Sequence, residues 1–138
     1  MPVNINKLET KVSIMLGTGC GADYKDKQLN ELKSRIGKEV SLFRAMCNAE
    51  YLSIIENNNT FIDYEWAMEK KWFATSFEDA NKWGRIFYPE RICKIIEIIV
   101  LQESLKYMFF LKFLDNIGPA YSADVELLNK IVRRINLI

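Results

Sequence analysis

The sequence predicts an α+β fold in one compact domain. Its 138 residues are 49% hydrophobic and 27% charged, which is the composition of an ordinary globular domain. A chain of this length buries about 70% of the surface that its unfolded form exposes, so it needs no metal or disulfide to fold. Helical and alternating apolar patterns follow one another in uneven order, which favours α+β over regular βαβ winding.

Residues 1–38 are predicted to be a helical N-terminal extension or linker, and residues 39–138 the main domain. Apolar residues of the first zone recur at near-helical spacing, namely Ile5, Leu8, Val12, Met15, Leu29, Leu32 and Ile36. Gly17–Gly21 contains three glycines. A phosphate-binding loop needs a preceding strand, and the preceding segment looks helical, so we interpret this run as a flexible joint.

The main domain begins with a predicted strand, because side chains alternate over Val40–Ala45. A helix with Asn48 as its N-cap is expected next, ending at Asn57-Asn58-Asn59. The aromatic-rich stretch Phe61–Thr75 is predicted to hold one or two short strands, with Lys70-Lys71 in or near a turn.

The second half of the domain is predicted to continue in the same mixed order. Ser76 opens a helix in a loose capping-box pattern, and Gly84 ends it. The β-branched run Ile92–Val100 is typical of a buried strand. Gln102–Leu114 is predicted to be a helix, and Ile131–Ile138 the last strand.

Histidine is absent from the sequence, which excludes several kinds of site. No histidine general base, histidine metal ligand or Ser–His and Cys–His pair is possible. The cysteines, Cys20, Cys47 and Cys93, are odd in number and lack Cys-x-x-Cys spacing, so we expect reduced thiols, a cytoplasmic place of action and no metal site. The net charge of +1 gives no global attraction to nucleic acid.

No signal peptide or membrane segment is expected. The first seven residues lack the basic-then-apolar layout of a signal peptide. The most apolar region, Ile92–Leu114, is interrupted by Lys94, Glu97, Gln102, Glu103, Lys106 and Lys112.

Two features at predicted strands could bind an anion. Arg44 lies within an apolar strand, where a guanidinium is costly to bury unless it meets an anion, whether a ligand or a structural carboxylate. Thr75 and Ser76 end a strand and open a helix, whose N-terminus attracts negative charge. The alternative is that Ser76 serves only as the N-cap of this helix.

Asp124 and Glu126 form a pair of carboxylates near the end of the chain. In an extended segment, residues two apart point the same way, so one carboxylate can bind a hydroxyl while the other accepts a proton. The alternative is a helix N-terminus with Ser122 as its cap and both acids in the first turn.

The order of several short motifs along the chain is informative. They are Phe43-Arg44-Ala45-Met46, Ala49-Glu50-Tyr51, Trp72-Phe73-Ala74-Thr75-Ser76, Asp79-Ala80, Lys82-Trp83-Gly84, Ile117-Gly118-Pro119-Ala120 and Asp124-x-Glu126. Together they resemble the Arg–Ser–Glu signature of ADP-ribosyltransferases, in the small toxin domains that end bacterial polymorphic toxins. The resemblance covers residues 41–130. It implies a split, mixed or antiparallel β core and leaves residues 1–38, predicted to be N-terminal helices, unexplained.

The resemblance implies that NAD is the substrate and that no metal takes part. Arg44 would bind the diphosphate or the adenosine-side ribose. Ser76, with Thr75 beside it, would support the site by hydrogen bonding, and Trp72 or Tyr121 would stack on the nicotinamide ring.

The resemblance also assigns the two late carboxylates. Glu126 would accept a hydrogen bond from the nicotinamide ribose and stabilise the developing ribosyl cation, and Asp124 would align or deprotonate the acceptor. The family's usual Ser-Thr-Ser is Ala74-Thr75-Ser76 here, and its Glu-x-Glu or Gln-x-Glu is Asp124-x-Glu126, which leaves the acceptor open. The expected partners are a target protein or nucleic acid in a bacterial cytoplasm and an immunity protein, with delivery as part of a larger toxin.

Two other functions remain open at this point. One is a small toxin ribonuclease that holds phosphate with Arg and Lys and uses Asp, Glu or Tyr as acid and base, although a near-neutral charge disfavours RNA binding. The other is a non-catalytic binding or immunity module, in which Arg44 and the late carboxylates pair with each other.

Overall fold

Six β-strands and three α-helices make up the described part of the chain. The computed structural model describes residues 31–62, 70–88 and 94–138. In chain order the elements are β1 (Glu39–Met46), α1 (Asn48–Glu56), β2 (Lys70–Ala74), α2 (Phe77–Phe87), β3 (Lys94–Leu101), a 3₁₀-helix (Gln102–Tyr107), β4 (Phe109–Leu114), β5 (Gly118–Asp124), α3 (Val125–Ile131) and β6 (Arg134–Leu137).

The strands form one sheet in the order β4-β5-β2-β1-β3-β6. The α+β prediction is confirmed. The sheet is not mixed, because every pairing is antiparallel. β1 pairs with β3 along its whole length, but with β2 through one residue pair, Phe43 and Ala74. Two three-stranded halves, β6-β3-β1 and β2-β5-β4, therefore meet at a narrow junction.

Helices cover both faces of the sheet. On one face, which we call the α1/α3 face, Leu42, Phe73 and Ile98 pack with Ile54 of α1 and Leu128 of α3. On the other, the α2 face, Trp72, Ala74 and Ala120 pack with Ala80 and Trp83 of α2. The alternation of side chains along each strand produces this division.

The helix starts show which side chains act as caps. Ser76 is the N-cap of α2 and its Oγ accepts a hydrogen bond from Asp79 N at 3.2 Å. Asn48, predicted to be a cap, is the first residue of α1, which follows Cys47 and has no side-chain cap. α2 passes the predicted stop at Gly84 and ends at Phe87, because a single glycine costs a helix only about 1 kcal/mol.

The helix predicted over Gln102–Leu114 is wrong. Only a 3₁₀-helix of six residues forms, and Phe109–Leu114 is a strand that pairs with β5. Helical and alternating spacings overlap in so apolar a run, and pairing with β5 decides in favour of the strand. The last predicted strand is confirmed only from Arg134, since α3 extends to Ile131.

Part of the N-terminal prediction lies outside the described residues. This applies to residues 1–30, with Cys20 and the glycine run. Leu32 packs in the core of the α1/α3 face, so at least this residue of the predicted extension belongs to the domain. Ile36, predicted to share a helical face with it, is 99% exposed, and residues 31–34 form a turn rather than a helix that continues to 38.

Candidate functional site

Arg44 is held by a buried carboxylate on the α1/α3 face. Its Nε donates to Oε2 of Glu50 at 2.8 Å and its Nη2 donates to Oε1 at 3.0 Å. Lys71 Nζ lies 3.6 Å from the same Oε2. The side chains of the Arg44–Glu50 pair are 11% and 13% exposed. Arg44 thus forms a structural salt bridge, one of the two outcomes that its burial predicted.

The ion pair raises the pKa of Arg44 and lowers the pKa of Glu50. Burial opposes the charge on Arg44, but attraction and hydrogen bonding from Glu50, with smaller contributions from Tyr88 and Cys47, raise the pKa of the guanidinium. Burial alone would raise the pKa of Glu50, yet Arg44 and then Lys71 outweigh it and hold that pKa below its usual range. Both groups are therefore charged over the neutral pH range.

Arg44 also reaches across the narrow junction of the sheet. Its Nη1 donates to the backbone oxygen of Trp72 on β2 at 3.0 Å. A guanidinium has five N–H groups, and three of them are used by Glu50 and Trp72. Two donors remain that have no acceptor among the described residues.

A cleft of about 290 Å³ has Arg44 in its lining. Besides Arg44 and Trp72 it is lined by Trp83, Phe87, Tyr88 and Asp115, together with Ala45 and Leu114. The indole Nε1 of Trp83 is buried and has no hydrogen-bond partner among the described residues. Because aromatic walls pack on flat rings and a guanidinium binds anions, this Arg44 cleft suits a ligand with both features.

The structure brings together only two of the predicted site residues, Arg44 and Trp72. Ser76 is occupied as the α2 cap, and Thr75 is exposed after β2. Tyr121 lies on the α1/α3 face, opposite Trp72, where its ring packs 4.9 Å from that of Phe110. It therefore belongs to the core and does not line the cleft.

The prediction of an extended Asp124-x-Glu126 segment is wrong. Asp124 is the N-cap of α3, and its Oδ1 accepts a hydrogen bond from Leu127 N at 2.8 Å. The alternative of a helix N-terminus holds, with Asp124 rather than Ser122 as the cap. The helix turns Glu126 outward, where its side chain is 71% exposed and contacts Lys130 at 3.2 Å.

The backbone of Asp124 lies in the strand that pairs with that of Trp72, although its carboxylate turns to the start of α3 on the opposite face of the sheet. In the register of β2 and β5, Trp72 pairs with Ser122 and Lys70 pairs with Asp124. Two residues along a strand span about 7 Å. The backbone of Asp124 is therefore one such step from the partner of Trp72.

Sequence reasoning gave no site role to Glu50 or Asp115, and although Trp83 and Tyr88 are among the aromatic residues whose rings could pack on a flat ligand, nothing in the sequence groups them with Arg44. The sequence contains a signal for Glu50, because a helix that directly follows a strand can fold back on it and bring the residue six positions after Arg44 into contact with Arg44. Lys71 was predicted near a turn, but it lies in β2 and is only 2% exposed. The cleft residues at the end of α2 and in the β4–β5 turn had no signal, since only tertiary packing brings them to Arg44.

Other classes of site find no support in the described ranges. No three His, Cys, Asp or Glu side chains within 31–62, 70–88 and 94–138 lie close enough to hold a metal ion. No helix in these ranges is long and apolar enough to cross a membrane.

Comparison of the chain with protein-family models, curated proteins and solved structures finds no match.

Proposed function

We propose that this chain is an ADP-ribosyltransferase-like domain that binds NAD in the Arg44 cleft and transfers ADP-ribose to a macromolecule. The observation that carries the proposal is the position of Arg44, which lines an aromatic cleft and whose guanidinium has two N–H groups without an acceptor among the described residues. It stands at the narrow junction between the two halves of the sheet, which is the feature that supports the finer, split-core fold.

The chemistry of NAD suits this arrangement. Its diphosphate accepts paired hydrogen bonds from a guanidinium, and its two flat rings pack on aromatic side chains. Glu50 fixes the plane of the guanidinium through two bonds, so the remaining donors are pre-oriented. Trp72 and Trp83 supply the aromatic walls.

The proposed reaction breaks the bond between nicotinamide N1 and ribose C1′, and the bonding electrons leave with nicotinamide. The acceptor's nucleophile then bonds to C1′ and gives its proton to a carboxylate. The sugar cation formed between these events is stabilised by a fixed negative charge. Asp124 and Glu126 remain the proposed carboxylates, and Asp124 is the one whose backbone lies in the strand that pairs with that of Trp72.

The resemblance also supplies the proposed setting. The domain would act in a bacterial cytoplasm on a protein or nucleic acid, after delivery as part of a larger toxin, and an immunity protein would restrain it.

Transfer of label from NAD tests the proposal. The purified chain is incubated with NAD labelled in its adenylate phosphate and a bacterial lysate. Arg44→Lys and Asp124→Asn should each lower the label transferred about 100-fold or more, in line with the loss of one electrostatic contact to a transition state. Asn is as good an N-cap as Asp, so Asp124→Asn keeps α3 intact. Arg134→Lys is the matched control, because Arg134 is exposed.

A second candidate, a non-catalytic binding module, is favoured by the exposure of Glu126 and its contact with Lys130. NAD binding without transfer of label would support this candidate. Equal transfer by wild type and Arg44→Lys would contradict the role of the cleft, and RNA cleavage without NAD would indicate a ribonuclease.

A further inference from the structure

A polar groove of about 490 Å³ lies beside β6. One wall consists of Arg134, Ile135 and Asn136, and the other of residues 58–61 after α1. Successive side chains of a strand point to opposite faces, so a cavity lined by three consecutive residues runs along the edge of the strand. We call this feature the β6 groove.

The edge of the sheet at the β6 groove presents backbone hydrogen-bonding groups. β6 is the last strand in the order, and among the described strands it pairs with β3 alone. Ile138 N donates to Ile95 O, which continues the register of β3 with β6, and bonds of an antiparallel ladder recur at every second residue. Arg133 N also donates to Ile99 O, so the ladder is irregular immediately before β6, whereas the register from Arg134 to Leu137 is regular. The backbone groups of Ile135 and Leu137 therefore point away from β3, to a side where no described strand lies. Such an edge is a template for an added strand.

The groove is positively charged. Lys33, Arg133 and Arg134 line it, and none of its described lining residues is acidic. Glu39 contacts Arg133 at 3.4 Å and Arg134 at 2.8 Å, which offsets one charge. Nη1 of Arg133 is buried and has no acceptor in the described part of the chain. Because the whole chain carries only +1, this concentration of cations is local.

We propose that the β6 groove docks an extended acidic segment of a partner protein, which adds a strand at β6. The backbone of the segment pairs with Ile135 and Leu137, and its carboxylates face Lys33 and Arg133. A single-stranded nucleic acid is disfavoured, because the described aromatic residue of the groove, Phe61, is 2% exposed and offers no platform for stacking bases. The proposal does not depend on NAD binding.

A displayed library of random peptides tests the proposal on the full chain. Peptides of about twelve residues are long enough to form a strand of typical length. We expect the enriched sequences to be acidic and rich in β-branched residues. Lys33→Glu should weaken binding of the enriched peptides about fivefold or more, as loss and reversal of an interface charge does. Lys112→Glu, on the opposite edge strand β4, is the matched control and should change binding less than about twofold.

A second pair of variants tests strand addition. Leu137→Pro removes an outward N–H from an edge strand, where proline is tolerated, and should abolish binding, whereas Leu137→Val keeps the N–H and the affinity. Binding of the peptides should also slow hydrogen exchange at Ile135 and Leu137.

Four outcomes would overturn the proposal. The first is that the library enriches no acidic peptides. The second is that the enriched peptides bind Lys33→Glu and Leu137→Pro as well as they bind wild type. The third is that the Leu137 amide is already protected in the free chain, which would show that the chain's own residues cover the edge. The fourth is that a single-stranded RNA oligonucleotide binds with the same dependence on Lys33 while the peptides do not, which would assign the groove to nucleic acid.

Discussion

Arg44 and Glu50 form a two-point ion pair inside the domain, with Nε–Oε2 and Nη2–Oε1 distances of 2.8 and 3.0 Å. The pair joins β1 to α1 across a connection of one residue, Cys47. It compensates the charge of a buried guanidinium and fixes the orientation of a side chain whose residue also lines the Arg44 cleft. One contact therefore serves both the fold and the candidate site.

Removal of Glu50 should destabilise the domain strongly. Glu50→Ala leaves the cations of Arg44 and Lys71 without this carboxylate, and breaking a buried pair in this way costs about 3–5 kcal/mol. Urea denaturation measures the loss. Glu126→Ala, which breaks an exposed pair with Lys130, is the control and should cost less than about 1 kcal/mol. Equal losses would contradict the assignment of Glu50 to the core.

The stability of the domain should fall in acid because of Glu50. Its pKa is lower in the folded state than in the unfolded chain, so its contribution is complete above the ordinary glutamate pKa of about 4.3 and is lost as the pH falls through the folded pKa. Midpoints of urea denaturation measured from pH 6 to pH 2.5 test this prediction, because these two limits lie on either side of about 4.3. Glu50→Gln should flatten the acid limb but not abolish it, since Glu39 and Glu97 also have lowered pKa values. An unchanged slope in Glu50→Gln would refute the prediction.

Binding of NAD should change the intrinsic fluorescence of the chain. Trp72 and Trp83 both line the cleft, so a nicotinamide or adenine ring packed there quenches them. The quench should saturate, and Arg44→Lys should raise the Kd about tenfold or more, because lysine cannot make paired bonds to the diphosphate. Nicotinamide riboside, which lacks the diphosphate, is the control and should bind both chains equally weakly. A quench by NAD that is insensitive to Arg44→Lys would place the ligand elsewhere.

The cap of α2 should account for the effect of Ser76 on stability. Ser76→Ala removes the acceptor for Asp79 N and should cost about 1 kcal/mol, whereas Ser76→Asp supplies another acceptor and should change stability by less than about 0.5 kcal/mol. Thermal denaturation measures both. Thr75→Ala, at the exposed neighbouring position, serves as the control. Comparable losses in Ser76→Ala and Ser76→Asp would show that the hydroxyl has a role besides capping.

A side chain at position 118 should push against Asp79. A Cβ on Gly118 would collide with the Asp79 carboxylate, so Gly118→Ala should cost about 1–3 kcal/mol. Asp79→Ala in the same chain removes the collision, and the two losses should be less than additive. Gly37→Ala is the control: its Cβ would lie 2.9 Å from Leu101 Cδ1, a smaller overlap than that with Asp79, and the cost should be smaller. Strict additivity would contradict the contact.

The local sequence predicted the fold where one signal was strong. Val40–Ala45 alternates and lies in β1, and Ser76 caps α2 as a serine before acidic residues should. The prediction failed at Phe109–Leu114, because an apolar run satisfies the spacing of a helix and of a strand, and only β5 decides between them. It failed again at Asp124, whose carboxylate faces the start of α3, since a short polar side chain prefers a nearby N–H.

The sequence by itself determined the α+β class, the absence of histidine chemistry and the need of Arg44 for an anion. Tertiary structure alone decided which anion that is, because Glu50 reaches Arg44 only when α1 folds back on β1. It also decided that Trp83, Tyr88 and Asp115 share a cleft with Arg44 and that Glu126 does not. The physical reason is distance along the chain: spacing rules fix neighbours within one element, whereas a cleft is assembled by the packing of several.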